Sequence, residues 1–323
     1  MTDPMMPDID RARALVNGIG WHEVQIQSVP GGSVNNTFRL TDGSSTWYLR
    51  IGPTVADVDA GPSWFTGRGL RREQQAIELW SGHKHLFPKT VHTDFSRKQI
   101  AADWVIQEAI PGDPWTALRA RLGKDQVRSL WRQFGTLVAE LHSYTGAEFG
   151  PPDPGIGYRR WSELCRWDAT GLLTDAHKFG LPISPFQQLC DLVDHHTHEL
   201  DEVETPRLIH SDLGLRHVMV VLNDDEPVIT GLIDMEFARF ADPYSESIFV
   251  AQALESQRDP IFDVFLEAYD AERPDRAARI RSYMYQLVAL AWWITDAMRR
   301  HRPNEAHEIL DRFTHRLEED RRM

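Results

Sequence analysis

Apolar and polar residues alternate over much of the first hundred positions, as they do in strands that bury one face. This pattern predicts strands at 24–29, 37–40, 47–51 and 104–110. The spacing typical of a helix occurs once in this part of the chain, over 70–80. The sequence therefore predicts a small β-rich lobe with one helix.

The third predicted strand divides its side chains into two sets. Trp47, Leu49 and Ile51 fall on one face, whereas Tyr48 and Arg50 fall on the other, because successive residues of a strand point to opposite sides. Regular alternation thus directs Arg50 away from the apolar face.

From residue 115 onward the apolar spacing is mostly helical. The segment 127–142 carries an apolar stripe at the helix period, formed by Leu130, Phe134, Leu137, Val138 and Leu141. Helical segments resume through the 160s and over 185–200, and they fill the remainder after one short β segment. A small β-rich lobe followed by a larger helical lobe, with a crevice between them, is an α+β architecture.

The short β segment brings polar side chains together. Two apolar runs, 218–222 and 228–233, flank turn-forming residues at 223–227. Antiparallel pairing of the runs places His217 beside Asp234 at the open end of the hairpin. The sequence therefore predicts a site for a metal ion or a proton at this end.

Composition and charge narrow the functional classes. The chain has 323 residues, of which 41% are hydrophobic and 26% charged, as in ordinary soluble globular proteins. Its net charge of −13 disfavours nucleic acid and anionic membrane as partners and favours a cationic small molecule. Cys165 and Cys190 are too few for a disulfide framework. The longest apolar stretch, 287–294, is too short to span a bilayer, and the acidic segment 1–13 lacks the apolar core of a secretory signal, so a cytoplasmic location is expected.

The sequence HSDLGLRH at 210–217, followed by GLIDMEFA at 231–238, resembles the aminoglycoside phosphotransferase and choline kinase superfamily, which has a protein-kinase-like fold. The resemblance implies that Asp212 is the catalytic base or orients the acceptor hydroxyl. It also implies that His217 and Asp234 hold a metal ion, Mg²⁺ or alternatively Mn²⁺. His210 would support the loop.

The N-terminal part is similar to the same family in the order of its elements. GGSVNNT at 31–37 resembles the loop that covers the nucleotide, where Gly32 and Ser33 would contact phosphate. An ordinary hairpin turn is the alternative interpretation of this segment. Arg50 stands where kinases place the lysine that binds phosphate, and Glu73 stands where its partner glutamate belongs.

The resemblance also implies how the chain is divided. Residues 107–110 would form the hinge, in which the backbone of Glu108 and Ile110 binds adenine. The N-terminal nucleotide-binding lobe would then comprise residues 1–107, and the C-terminal catalytic and acceptor-binding lobe residues 108–323. This is a bilobal, protein-kinase-like α+β fold.

Two residues depart from the usual family pattern. Arg50 replaces the lysine, and His217 replaces an asparagine; an imidazole is a softer ligand than an amide oxygen and favours Mn²⁺ over Mg²⁺. Both departures are similar to the macrolide phosphotransferase branch, whose members pair a W-x-L-R-I strand with a D-L-x-x-x-H-V loop.

The activity implied by the resemblance is transfer of the γ-phosphate of ATP or GTP to a hydroxyl of a cationic, amino-bearing acceptor such as an aminoglycoside or a macrolide. A metabolic kinase of choline, an amino sugar or a similar amino alcohol is an alternative that the catalytic segment does not separate. A nucleotide-binding pseudokinase is a third hypothesis, against which the retained Asp212 and Asp234 argue.

Overall fold

The computed structural model describes residues 8–223, 226–255 and 259–320. A small N-terminal lobe surrounds a five-stranded antiparallel sheet, and the larger C-terminal lobe is mainly helical. The N-terminal elements are α1 (Asp8–Gly18), β1 (Gln25–Val29), β2 (Asn36–Thr41), β3 (Thr46–Ile51), α2 (Val55–Ala60), α3 (Gly69–Leu79), β4 (Thr90–Asp94) and β5 (Trp104–Glu108). The bilobal α+β fold predicted from the sequence is confirmed.

The C-terminal lobe is built from helices and three short β pairings. Its elements are β6 (Asp113–Pro114), α4 (Trp115–Leu118), α5 (Lys124–Leu141), α6 (Trp161–Lys178), α7 (Ser184–His195), α8 (Thr197–Asp201), β7 (Arg207–Ile209), β8 (Val218–Asn223), β9 (Glu226–Leu232), β10 (Arg239–Ala241), α9 (Ser247–Leu254), α10 (Phe262–Tyr269), α11 (Arg276–Arg299) and α12 (Pro303–Asp320). None of the helices in the described ranges is long and apolar enough to cross a lipid bilayer.

The N-terminal sheet has the strand order β1-β2-β3-β5-β4. Leu49 and Ile51 of β3 are buried in one core with Leu15 and Val16 of α1, so α1 covers the apolar face predicted from the alternation. Arg50 points to the opposite face, where α3 lies. The strand therefore carries its one buried charge toward the lobe interface.

The expectation of a single helix among the first hundred residues is wrong. Ala12, Leu15 and Val16 of α1 follow the i, i+3, i+4 spacing and are buried against the sheet. The short α2 begins with a capping box, in which Thr54 and Asp57 bond to each other's backbone N–H groups. Strand β4 was not predicted either, and β5 ends at Glu108, earlier than expected.

The predicted hairpin is formed by β8 and β9, with Val218 paired to Leu232. The pairing shifts by one residue through a β-bulge at Met219–Val220, and it keeps the open end in the predicted register. Of the turn predicted at 223–227, residues 224–225 lie outside the described part of the chain.

The segment between β3 and α3 crosses to the C-terminal lobe, and we call residues 59–64 the strap. The backbone N–H and hydroxyl of Ser63 donate to the carboxylate of Asp175 on α6 at 2.7 and 2.9 Å. The indole N–H of Trp64 donates to Thr295 on α11 at 3.0 Å. The strap thus attaches the N-terminal lobe to helices α6 and α11 of the C-terminal lobe.

The end of α3 provides another junction between the lobes. Trp80 is fully buried in a core that includes Trp115 and Phe134 of the C-terminal lobe. Its indole N–H donates to the carbonyl of Leu141 at 3.1 Å. Because α3 is fixed at this end, the position of its charged residues relative to the C-terminal lobe is also fixed.

The contact between α5 and α10 requires a glycine at position 135. A Cβ atom there would lie 2.4 Å from the backbone oxygen of Phe265 and 2.9 Å from the Cβ atom of Ala268. We therefore expect Gly135→Ala to lower the free energy of unfolding by about 1–3 kcal/mol through overpacking. Urea unfolding measures this change, with Gly18→Ala as the control, because Gly18 has no neighbour closer than 4.0 Å. Equal stability of the two variants would contradict the close packing.

Candidate active site

A buried guanidinium joins three elements where the two lobes meet. Nη1 of Arg50 lies 2.8 and 2.6 Å from the carboxylate oxygens of Glu73 on α3. Nη2 lies 2.5 Å from Oδ1 of Asp234, which follows β9. Burial opposes the charged guanidinium, but the charges of Glu73 and Asp234 raise the pKa of Arg50 well above its usual range. Arg50 is therefore a fixed positive charge beside Asp234.

The carboxylate of Glu73 has a second donor. The amide Nε2 of Gln107, on β5, donates to Glu73 Oε1 at 2.7 Å, and both side chains are buried. Because a carboxylate that pairs with Arg50 only accepts hydrogen bonds, the Gln107 amide must present its nitrogen to it. The sequence analysis placed Gln107 at the start of the hinge and not beside Glu73, since a lone glutamine in a strand gives no signal of its partner.

The loop from His210 to Leu213 is folded around one buried carboxylate. Oxygen atoms of Glu246 accept the backbone N–H groups of His210, Ser211 and Leu213 at 2.8, 3.0 and 3.1 Å. Burial would raise the pKa of Glu246, but the hydrogen bond from His142 and the nearby His210 outweigh it, and the pKa lies at about 2. Glu246 therefore holds this loop as an ionised anchor.

The predicted pair of His217 and Asp234 lies together with Asp212 at the open end of the hairpin. Asp212, His217 and Asp234 each offer a ligand atom, and these atoms lie within 4.8 Å of one another. Nδ1–H of His217 donates to the carbonyl of Asp212 at 2.7 Å, and its Nε2 faces Oδ2 of Asp234 at 3.6 Å. His210 links its own loop to the end of the hairpin, because its Nε2–H donates to the carbonyl of Ile233 at 3.0 Å.

The donor set fits a divalent cation. Since Nδ1 of His217 carries the proton, Nε2 keeps its lone pair toward Asp234. Burial lowers the pKa of His217, which favours the neutral imidazole that a metal requires. Burial opposes ionisation of Asp234, but the charge of Arg50 lowers its pKa below the usual value. A neutral imidazole and an ionised carboxylate facing each other are suitable ligands for Mg²⁺ or Mn²⁺.

Backbone strain occurs at the same place. Ser211 and Asp234 adopt left-handed conformations, with φ of 68° and 74°. Such conformations cost energy in residues other than glycine and persist where the surroundings impose them. Here Glu246 fixes the first residue and Arg50 the second.

Asp212 also has a partner that the sequence analysis did not assign. Nη2 of Arg216 donates to both of its carboxylate oxygens, at 2.7 and 2.9 Å. The Arg216 side chain is 59% exposed, so this pair lies at the open side of the site. A molecule that approaches the carboxylate of Asp212 therefore also meets the positive charge of Arg216.

The remaining predicted residues lie at two places around the cleft. Gly32 and Ser33 lie in the loop between β1 and β2, and Gly32 must be a glycine because a Cβ would lie 2.7 Å from the backbone oxygen of Asn35. Glu108 is the last residue of β5, and Ile110 lies two residues after it; the N–H of Glu108 donates to the carbonyl of Lys89 at 2.8 Å. The N–H of Glu108 is thus already used within the protein.

Glu236 is a further buried acid that the sequence analysis missed. It follows Asp234 by two residues, is 4% exposed, and has one oxygen 3.9 Å from Nη2 of Arg50. Burial, together with the charge of Asp234, raises the pKa of Glu236 to about 8. Only the folded chain brings Glu236 under the loop that contains Asn35.

The chain has the features of bilobal kinase-like enzymes: two lobes, a buried ion pair, and a cluster of two acids with an imidazole. The sequence model of the phosphotransferase enzyme family matches residues 25–281, well over half of the chain. The chain therefore belongs to the phosphotransferase enzyme family. No curated protein matches it in sequence.

Solved structures of aminoglycoside phosphotransferases have the same fold. The GDP complex of aminoglycoside 2'-phosphotransferase-IIIa aligns with a TM-score of 0.67 at 17% identity, covering 98% of this chain and 100% of that one. A thermostable mutant of APH(4)-Ia with ADP and hygromycin B aligns with a TM-score of 0.61 at 15% identity, over 94% and 97% of the two chains. The streptomycin–ATP complex of APH(2")-IIa gives a TM-score of 0.60 at 14% identity, over 96% and 97%.

The ionised Glu246 predicts how stability depends on pH. Its pKa is lower in the folded chain than the usual glutamate value of 4.5, so its contribution is complete above that value and is lost as the pH falls toward 2. The lowered pKa contributes about 3 kcal/mol to the free energy of unfolding when Glu246 is fully ionised. We expect about 2 kcal/mol of this contribution to be lost between about pH 6 and about pH 3.

Urea unfolding of the parent and of Glu246→Gln at these two pH values tests this dependence. We expect the variant to be less stable near pH 6, because its amide nitrogen would face backbone N–H donors. The difference between the two proteins should shrink by about 2 kcal/mol near pH 3. A difference that does not change with pH would contradict an ionised anchor.

Proposed function

We propose that this phosphotransferase moves the γ-phosphate of ATP or GTP to a hydroxyl of a small, cationic, amino-bearing molecule, namely an antibiotic of the aminoglycoside or macrolide type. The observation that carries the proposal is the cluster of Asp212, His217 and Asp234 beside the Arg50–Glu73 pair. The family of the chain supports the reaction class. The solved relatives that bind nucleotides together with aminoglycosides support the choice of substrates.

Each residue has a role that its surroundings support. Asp212 would orient the acceptor hydroxyl and accept its proton, since its carboxylate lies on the accessible side of the site. His217 and Asp234 would hold the metal ion, which would neutralise phosphate charge when bound. Arg50, held by Glu73, would bind phosphate oxygens through its planar fork of donors.

The nucleotide would lie between the lobes. We assign residues 1–107 to the nucleotide-binding lobe and 108–323 to the catalytic and acceptor-binding lobe. Gly32 and Ser33 would cover the phosphates, and the backbone of Glu108 and Ile110 would bind the purine. For Glu108 this role falls to the carbonyl, because its N–H donates to Lys89.

The net charge of −13 supports a cationic acceptor, because a negative surface raises the local concentration of cations. A transfer assay with both nucleotides and a panel of aminoglycosides, macrolides, choline and amino sugars tests this choice. Transfer to an antibiotic is the expected result. Transfer to choline or an amino sugar alone would replace the antibiotic with a metabolic acceptor.

Asp212→Asn tests the role of the carboxylate. We expect kcat to fall by about 10²–10⁴, because the amide cannot accept the proton, while the Kd for nucleotide stays within about twofold. Rapid-quench transfer and calorimetric nucleotide titration measure the two quantities. Full transfer by this variant would refute the assignment.

His217→Asn tests whether the imidazole contacts the metal ion. An amide oxygen is a harder ligand than an imidazole, so we expect the ratio of activity with Mg²⁺ to activity with Mn²⁺ to rise several-fold. Parallel metal titrations of parent and variant give this ratio. An unchanged ratio would remove His217 from the metal site.

A further inference from the structure

The loop between β1 and β2 is bonded to the C-terminal lobe by a buried hydrogen bond. Nδ2 of Asn35 donates to Oε2 of Glu236 at 2.6 Å, and the two residues are 8% and 4% exposed. They are separated by 201 positions in the chain. Since Glu236 follows Asp234 by two residues, one short segment carries both a proposed metal ligand and the anchor of this loop.

A second bond holds the same loop from a different helix. Nη2 of Arg299, at the end of α11, donates to the carbonyl of Ser33 at 2.8 Å. The guanidinium is itself fixed, because it bonds to Asp296 at 2.6 Å and lies 4.6 Å from the ring centre of Phe65. The contact with Ser33 is therefore made by a side chain that is already held in place.

The two bonds flank Val34 and hold both ends of the same short segment. A loop of glycines and small polar residues has many conformations, and ordering it costs conformational entropy. Bonds to fixed partners reduce that cost before a ligand binds, which is how preorganisation raises affinity.

We propose that Asn35, Glu236 and Arg299 are positioning residues that hold residues 31–36 over the phosphates of the nucleotide. This inference rests on the proposed function, because that function assigns the loop to nucleotide binding. Asn35 and Glu236 set the height of the loop above Asp234. Arg299 sets its position at Ser33.

Two pairs of variants test the proposal. Arg299→Met removes the donor to Ser33, and Arg300→Met is its control, since Arg300 pairs with the same Asp296 at 3.5 Å. Glu236→Met removes the acceptor of Asn35, whereas Glu236→Gln keeps an acceptor oxygen. We expect Arg299→Met and Glu236→Met each to weaken binding of a non-hydrolysable ATP or GTP analogue with Mg²⁺ by about tenfold, the scale of one lost hydrogen bond.

The controls and the steady-state constants separate positioning from general damage. Arg300→Met and Glu236→Gln should bind the nucleotide analogue within about twofold of the parent. In Arg299→Met, KM for the nucleotide should rise while KM for the acceptor stays unchanged. Loss of affinity in both members of a pair, or a rise in both KM values, would overturn the positioning role.

Hydrogen exchange of the nucleotide-free protein tests the bonds independently of activity. Amides 31–36 should exchange faster in Arg299→Met and Glu236→Met than in the parent. Unchanged exchange, or faster exchange with unchanged nucleotide affinity, would overturn the proposal. If the parent bound neither nucleotide, the proposed function would fall, and the exchange rates would still show whether the two bonds restrain the loop.

Discussion

The charge on Arg50 is the constraint around which the two lobes are arranged. A guanidinium in this place is stable only if carboxylates surround it, because an unpaired buried charge costs several kcal/mol. Glu73 comes from α3 and Asp234 from the segment after β9, so the ion pair can form only when sheet, helix and hairpin meet. The contacts that pair this buried charge therefore also assemble the site, since displacement of α3 or of the segment after β9 would take one carboxylate away from the guanidinium.

A second buried charge, of the opposite sign, shapes the loop that contains Asp212. There a carboxylate, Glu246, is the buried charge, and backbone N–H groups of the loop from His210 to Leu213 are its partners. Because one carboxylate accepts all three of these N–H groups, the shape of this loop depends on the position of one side chain. Asp212 is held in place as a result, because Glu246 accepts the N–H groups of its two neighbours, Ser211 and Leu213.

What the sequence could predict depended on how local the interaction was. The faces of β3 followed from alternation, and the approach of His217 to Asp234 followed from hairpin pairing, because both are decided within a few residues. Glu236 and Glu246 could not be found in this way. Their partners lie 201 and 36 positions away, and only the folded chain brings them together.

The junctions between the lobes bear on how such a chain can be divided or recombined. Trp64 of the strap and Trp80 at the end of α3 pack against or bond to residues far along the chain. A fragment ending near residue 107 would expose these indoles to water and would tend to aggregate. The two lobes are therefore not exchangeable modules, and an N-terminal lobe could not be grafted from a relative without the helices of the C-terminal lobe that contact these two tryptophans.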